Sequence, residues 1–142
     1  MLFNRGIQVL TLWCILNALP GIGSLVYLAL GKHAPGLRML HTDTEIPLIE
    51  PRTLATVDGL AVIANTLIAV YCLTALMIVR KALARHDHWA LPTLWFGHIG
   101  VQLAAIVSDF TYFGGKNVLP ILVSSGLGFG GLVMCTIGRK NG

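Results

Sequence analysis

Four long apolar stretches constrain this chain more than any other feature of its sequence. The first, residues 7–30, contains no Asp, Glu, Lys or Arg. At about 1.5 Å per residue, a helix of this length covers roughly 36 Å, more than the roughly 30 Å of a bilayer hydrocarbon core. The other three stretches are residues 54–79, 89–113 and 118–137. Because backbone polar groups must be paired inside lipid, we expect each stretch to form a membrane-spanning helix.

The composition points to the same class of protein. Hydrophobic residues make up 55% of the chain and charged residues only 11%, with a mean hydropathy of +0.75. A soluble domain carries roughly a quarter charged residues, so lipid must replace the missing polar surface. The net charge of +4 is not arranged as a basic stripe interleaved with aromatic residues, so we exclude nucleic acid as a partner. Membrane lipids with anionic head groups are the expected partners of these charges.

The connections between the stretches predict an antiparallel bundle. About nine residues join the second and third stretches, and the tight turn Gly114–Asn117 joins the third and fourth. We therefore expect one all-α domain over residues 1–142, a bundle of four transmembrane helices. The longer loop 31–53 carries three prolines and is expected to form an ordered extracytoplasmic cap. Its candidate binding residues are His41, Asp43, Glu45 and Glu50.

Basic residues in the connecting segments predict the orientation. Six of them lie on the side of the two termini: Arg5, Arg80, Lys81, Arg85, Arg139 and Lys140. Four lie on the other side: Lys32, Arg38, Arg52 and Lys116. Because cytoplasmic loops carry an excess of Lys and Arg, both termini are expected in the cytoplasm, with the protein in a plasma membrane or a bacterial inner membrane.

Polar side chains inside the predicted spans form the main candidate site. The set consists of Asp58, Asn65, His98, Gln102, Asp109, Ser124 and Ser125. Helical spacing places Asp58 and Asn65 on one face of the second helix, and His98, Gln102 and Asp109 on one face of the third. The rise per residue puts Asp58 at the depth of Asp109 and Asn65 at that of Gln102, and the two serines of the fourth helix lie at a comparable depth. The functional interpretation is an outward-facing polar cleft that holds a cation, a proton or a polar ligand. The alternative is structural: the amides join helices, and Asp109 pairs with a cation such as Lys116 or Arg52.

The glycines of the fourth stretch suggest a helix interface. Gly126 and Gly130 form a GxxxG pattern, which lets two helices approach closely. The pattern is typical of an oligomer or partner interface and also of tight packing within one bundle.

Cysteines and histidines give no sign of a metal or cofactor. The three cysteines lie in apolar stretches without CxxC or Cys–His spacing, which is typical of packing residues. His98 is the one histidine inside a span, whereas a membrane haem generally needs two axial ligands. We therefore expect no metal, no cofactor and no catalytic residue.

Three functions of different class remain open after this reasoning. The first is a non-catalytic subunit or interaction partner in a membrane complex, packed against itself or another membrane protein. The second is an oligomeric pathway for a small solute, a proton or a cation through the polar cleft. The third is a membrane-embedded enzyme, although no nucleophile–base pair is recognisable.

Overall fold

Long helices make up most of the described part of the protein. The computed structural model describes residues 1–33, 45–112 and 114–140, and 87% of these are helical, with no strand among them. The long helices are α1 (Leu2–Ala29), α2 (Pro51–Met77), α3 (Ala90–Tyr112) and α4 (Val118–Lys140). A 3-10 turn, Ile46–Leu48, precedes α2; a π-helical turn, Ile78–Ala82, and a second 3-10 turn, Leu83–Arg85, follow it. The prediction of an all-α chain with four helices long and apolar enough to cross a membrane is confirmed.

The positions where the helices begin and end depend on individual residues as well as on the length of the apolar stretches. α1 begins at Leu2, before the first apolar stretch, and continues through the polar residues Asn4 and Arg5. α2 begins at Pro51, where the missing amide hydrogen removes no helical bond. α4 ends with Arg139 and Lys140, whose charges favour a helix carboxyl terminus.

The chain divides into two compact units, which are described separately. Unit 1 comprises Met1–Ile15 and Leu73–Gly142, and unit 2 comprises Leu16–Cys72. The boundaries fall inside α1 and α2, so unit 1 holds the beginning of α1, the end of α2 and all of α3 and α4.

In unit 1, glycines let the first half of α1 pack closely on α4. A Cβ added at Gly6 would lie 2.6 Å from the Cys135 sulfur, and one added at Gly131 would lie 2.8 Å from Leu10 Cγ. A Cβ at Gly138 would collide with the backbone of Phe3. These three positions therefore require glycine because two helix backbones approach each other there.

Further contacts in unit 1 join α3, α4 and the segment before α3. The Trp95 indole donates a hydrogen bond of 3.1 Å to the Thr136 hydroxyl. His86, in the left-handed region with φ 60°, stacks on Phe3 with ring centroids 4.3 Å apart. The Arg139 guanidinium donates to the His86 carbonyl at 3.2 Å, so both ends of the described chain contact this residue.

Unit 2 has its own apolar cluster. Gly21 of α1 lies against α2, where an added Cβ would be 3.2 Å from the Asn65 carbonyl oxygen. Ile46, in the 3-10 turn before α2, is buried; it packs against Leu28, Ile49, Leu54, Val57 and Ala61. This part of the loop that was expected to form a cap is thus anchored by an apolar side chain. His41 and Asp43, also predicted there as candidates, lie outside the described residues.

Candidate functional site

His98 of α3 lies in a closely packed aromatic setting in unit 1. Its ring meets Trp13 and Phe129 edge-on, with ring centroids 4.7 and 4.5 Å away. The ring lies directly above Gly128, where any Cβ would collide with it. Its Nε2 atom is 3.4 Å from the Ser125 carbonyl oxygen, and only 2% of the residue is exposed. This arrangement fixes the imidazole by packing and by a hydrogen bond to the backbone of α4.

Ser125 connects His98 to Gln102, the next polar residue along the same face of α3. The Ser125 hydroxyl donates to Gln102 Oε1 at 2.5 Å, while its carbonyl faces His98. The neighbouring Ser124 hydroxyl accepts a hydrogen bond of 3.1 Å from the Trp13 indole. Thus four predicted site residues lie together in unit 1: His98, Gln102, Ser124 and Ser125. We call these four, with Trp13 and Phe129, the His98 cluster.

Asp109 lies near the end of α3, where it holds the turn that leads into α4. Its carboxylate accepts hydrogen bonds from the backbone and side-chain amides of Asn117, at 2.9–3.1 Å. Its carbonyl accepts from the Gly115 amide at 3.2 Å, and the residue is 2% exposed. The structural alternative gave this charge a cation such as Lys116 or Arg52 as its partner, and that pairing stays a prediction beside these amide contacts. The amide of Asn117 lies just before Val118, so the carboxylate also sits at the positive end of α4.

The predicted site residues of unit 2 have separate local partners. The Asp58 carboxylate lies 2.9 Å from His33 Nδ1, and both side chains are partly exposed. The Asn65 amide donates to the Ala61 carbonyl of its own helix at 2.8 Å. The Glu50 carboxylate accepts a 3.4 Å hydrogen bond from Thr53 at the start of α2, while Glu45 forms the amino-terminal boundary of the 3-10 turn. The predicted pairings of Asp58 with Asp109 and of Asn65 with Gln102 join different units and stay predictions.

The two glycines of the predicted interface face open space. A Cβ added at Gly126 or Gly130 would meet no heavy atom of the described chain within 4 Å. By contrast, Gly128 and Gly131 lie against His98 and Leu10. The glycine-rich run therefore contains positions of two kinds, and the interface role of the outer pair stays a prediction.

Three residues of this region escaped the sequence reasoning. Asn117 carried a usable signal, since Asn directly before a helix is a common amino-terminal cap. Trp13 and Phe129 looked like ordinary apolar residues, and nothing in the sequence shows that they flank His98. In the described part of the chain, no group of three or more His, Cys, Asp or Glu side chains is placed to hold a metal ion. The three cysteines are buried thiols.

Comparisons of the chain with models of known protein families, with curated proteins and with solved structures find no significant match.

Proposed function

We propose that this chain is an integral membrane protein in which each of the four long helices crosses the bilayer. The exposed apolar surface supports this proposal. In the most apolar 18-residue window of each helix, no more than 28% of the residues are buried inside the protein. Large apolar side chains such as Leu19, Leu67, Phe96 and Val123 are mostly exposed. Patches of this extent are rare on soluble monomers, and lipid would cover them.

The proposed arrangement is an antiparallel bundle with both termini in the cytoplasm of a plasma membrane or bacterial inner membrane. The order of contacts between α3 and α4 favours opposite directions: Trp95 meets Thr136, whereas Asp109 meets Asn117. The six basic residues on the side of the termini, against four on the other side, favour the orientation. Resistance to extraction by carbonate and labelling of terminal tags in sealed vesicles test these two statements.

The function that we infer is that of a non-catalytic subunit or interaction partner in a membrane complex. One observation carries it: the polar groups of the His98 cluster and of Asp109 bond to one another or to neighbouring backbone, while Gly126 and Gly130 face open space. Hydrogen bonds of this kind commonly join the helices of a membrane bundle. The open glycines leave a smooth helix face that another helix can approach closely.

The experiment is native mass spectrometry of the protein extracted gently from its own membrane. A second protein or a second copy is expected in the complex, and Gly126→Leu or Gly130→Leu should release it. Gly100→Leu is the matched control, because Gly100 of α3 also faces open space. None of the three variants should lower the unfolding free energy of the protomer, because a Cβ added at each position meets no described heavy atom within 4 Å. A lone wild-type protomer, or an assembly that survives both α4 variants, would contradict the proposal.

A second candidate, a pathway for a proton, a cation or a small solute, is favoured by one contact in unit 2. The Asp58 and His33 side chains form a close pair that is 24% and 46% exposed, respectively. If the pair is the entry to a pathway, Asp58→Asn should remove proton or potassium flux in reconstituted liposomes and leave the assembly intact. Unchanged flux with lower stability would assign the pair a structural role.

A further inference from the structure

An open groove of about 340 Å³ lies in unit 1, beside the beginning of α1. One wall is a stripe of α1 that runs from Ile7 to Ile15. The other wall is formed by Arg80 and Ala84, which follow α2. The volume falls in the range of small-molecule sites, which is about 300–1,000 Å³. The His98 cluster contributes no residue to these walls, so the groove is a separate feature.

The walls combine one positive charge and two uncharged polar side chains, Gln8 and Thr11, with apolar surface. Ile7, Leu12 and Ile15 supply the apolar part, and the Arg80 guanidinium supplies the charge. Among the described residues, no carboxylate pairs with Arg80 and no acidic side chain lines the groove. A guanidinium presents donors in a planar fork that matches phosphate oxygens.

The backbone holds Arg80 in position through the π-helical turn Ile78–Ala82. Val79 and Leu83 are both fully buried, so they anchor one side of this segment. Arg80 and Ala84 each follow one of these anchors, and they form the groove wall on the exposed side. π-helical turns occur frequently at functional sites. The turn begins one residue after α2 ends, where a helix of 27 residues has run long enough to cross a bilayer.

We propose that this groove binds one anionic phospholipid, with its phosphate on Arg80 and an acyl chain along the stripe of α1. The inference rests on the proposed insertion of the four helices in a membrane. Basic pockets between helices on the cytoplasmic side recognise anionic head groups. A zwitterionic head group also carries an ammonium, for which the described walls offer no acidic partner. The anionic lipid therefore fits this surface better than a phosphatidylcholine.

The test is a lipid titration of the full, delipidated protein in detergent, followed by native mass spectrometry. The probes are phosphatidylglycerol and phosphatidylcholine with identical acyl chains. One phosphatidylglycerol should bind at least about fivefold more tightly than phosphatidylcholine, as expected for one basic residue at a membrane surface. Arg80→Gln should remove this preference. Lys81→Gln is the matched control, because it removes the same charge from the adjacent residue, which does not line the groove.

Two further measurements test whether the groove holds the lipid and whether the acyl chain contributes to binding. Ala84→Leu should weaken binding of both lipids, because the larger side chain fills the groove. Inorganic phosphate should not displace the lipid, because it lacks the acyl chain that the apolar wall binds. Equal binding of the two lipids by the wild type, or equal losses in Arg80→Gln and Lys81→Gln, would overturn the inference. If Arg80→Gln fails to fold, the wild-type preference and Ala84→Leu decide.

The failure of this inference can be told apart from failure of the proposed function. Release of the protein from membranes by carbonate alone would contradict membrane insertion before any lipid is added. A membrane-inserted protein that binds both lipids equally would contradict only the lipid site. Loss of the complex in the Gly126 and Gly130 variants is independent of both results.

Discussion

Gly128→Ala should destabilise unit 1 although it adds a single methyl group. That methyl group would collide with the His98 ring, which has little freedom to move. Trp13 and Phe129 meet the ring edge-on, and its Nε2 atom lies 3.4 Å from the Ser125 carbonyl oxygen. Any shift that relieves the collision therefore weakens at least one of these contacts.

The expected loss in the free energy of unfolding is about 2 kcal/mol. Overpacking a closely packed core costs about 1–3 kcal/mol. Losing the hydrogen bond to the Ser125 carbonyl adds about 0.6–1 kcal/mol. Against this, alanine favours a helix over glycine by up to about 1 kcal/mol. The free-energy cost of the collision thus exceeds the gain in helix propensity, so the variant should be less stable than the wild type.

The assay is equilibrium unfolding in mixed micelles with increasing dodecyl sulfate, followed by tryptophan fluorescence. Gly100→Ala is the control, since its Cβ meets no described atom within 4 Å and it lies two residues from His98 on α3. That variant should be neutral or slightly stabilised. The double variant Gly128→Ala/His98→Ala should lose less than the sum of its single changes, because the smaller side chain removes the collision. Equal stability of the Gly128 and Gly100 variants, or additive losses in the double variant, would refute the reasoning.

Three further predictions use the same unfolding assay or the same purified protein. Asp109→Ala should lower the unfolding free energy by about 1–3 kcal/mol, because the backbone and side-chain amides of Asn117 lose their acceptor, and a stable Asp109→Ala would contradict the turn-holding role. Asn117→Ala should cost less, about 0.5–1.5 kcal/mol, because its backbone amide still donates to the carboxylate. Gly115→Ala should cost about 1–2 kcal/mol, because its φ of +80° is disfavoured for residues with a Cβ; a neutral result would contradict this backbone conformation. The three buried cysteines should resist a maleimide reagent in the folded protein and react after denaturation, and rapid labelling of the native protein would show that the packing opens.

The four helices were predictable because their signal depends on composition over long windows. A stretch of about 20 residues without charge is typical of a membrane-spanning helix, and few other structures accommodate it. The helix ends were less predictable. α1 includes Arg5 and the residues before it, and the segment after α2 continues as a π-helical turn through Arg80 and Lys81. Hydropathy marks where a helix leaves lipid, which differs from where its hydrogen bonding stops.

The candidate site was predictable only at the level of helix faces. Helical spacing showed that His98 and Gln102 share a face, and their depth suggested Ser124 and Ser125 as neighbours. The structure brings these four residues together in the His98 cluster. Spacing within one helix does not show which side chains the next helix presents, so the contacts with Trp13 and Phe129 were missed. Spacing also did not indicate that the Asn117 amides bond to the Asp109 carboxylate, because an amide in a turn carries no charge pattern that a sequence displays.

The glycine-rich run of α4 shows why the same composition supports two different roles. At 100° per residue, Gly126 and Gly130 each lie about 160° around the helix from Gly128. Gly128 belongs to the buried face, where Ser125, Leu132 and Cys135 also lie. A helix that needed glycine only for contact with His98 and Leu10 would need none on its opposite side, where an added Cβ meets no described heavy atom within 4 Å. Glycine also weakens a helix relative to alanine by about 1 kcal/mol. Two glycines one turn apart on that side therefore make sense if a second helix packs there, which is the interface that the Gly126 and Gly130 variants probe.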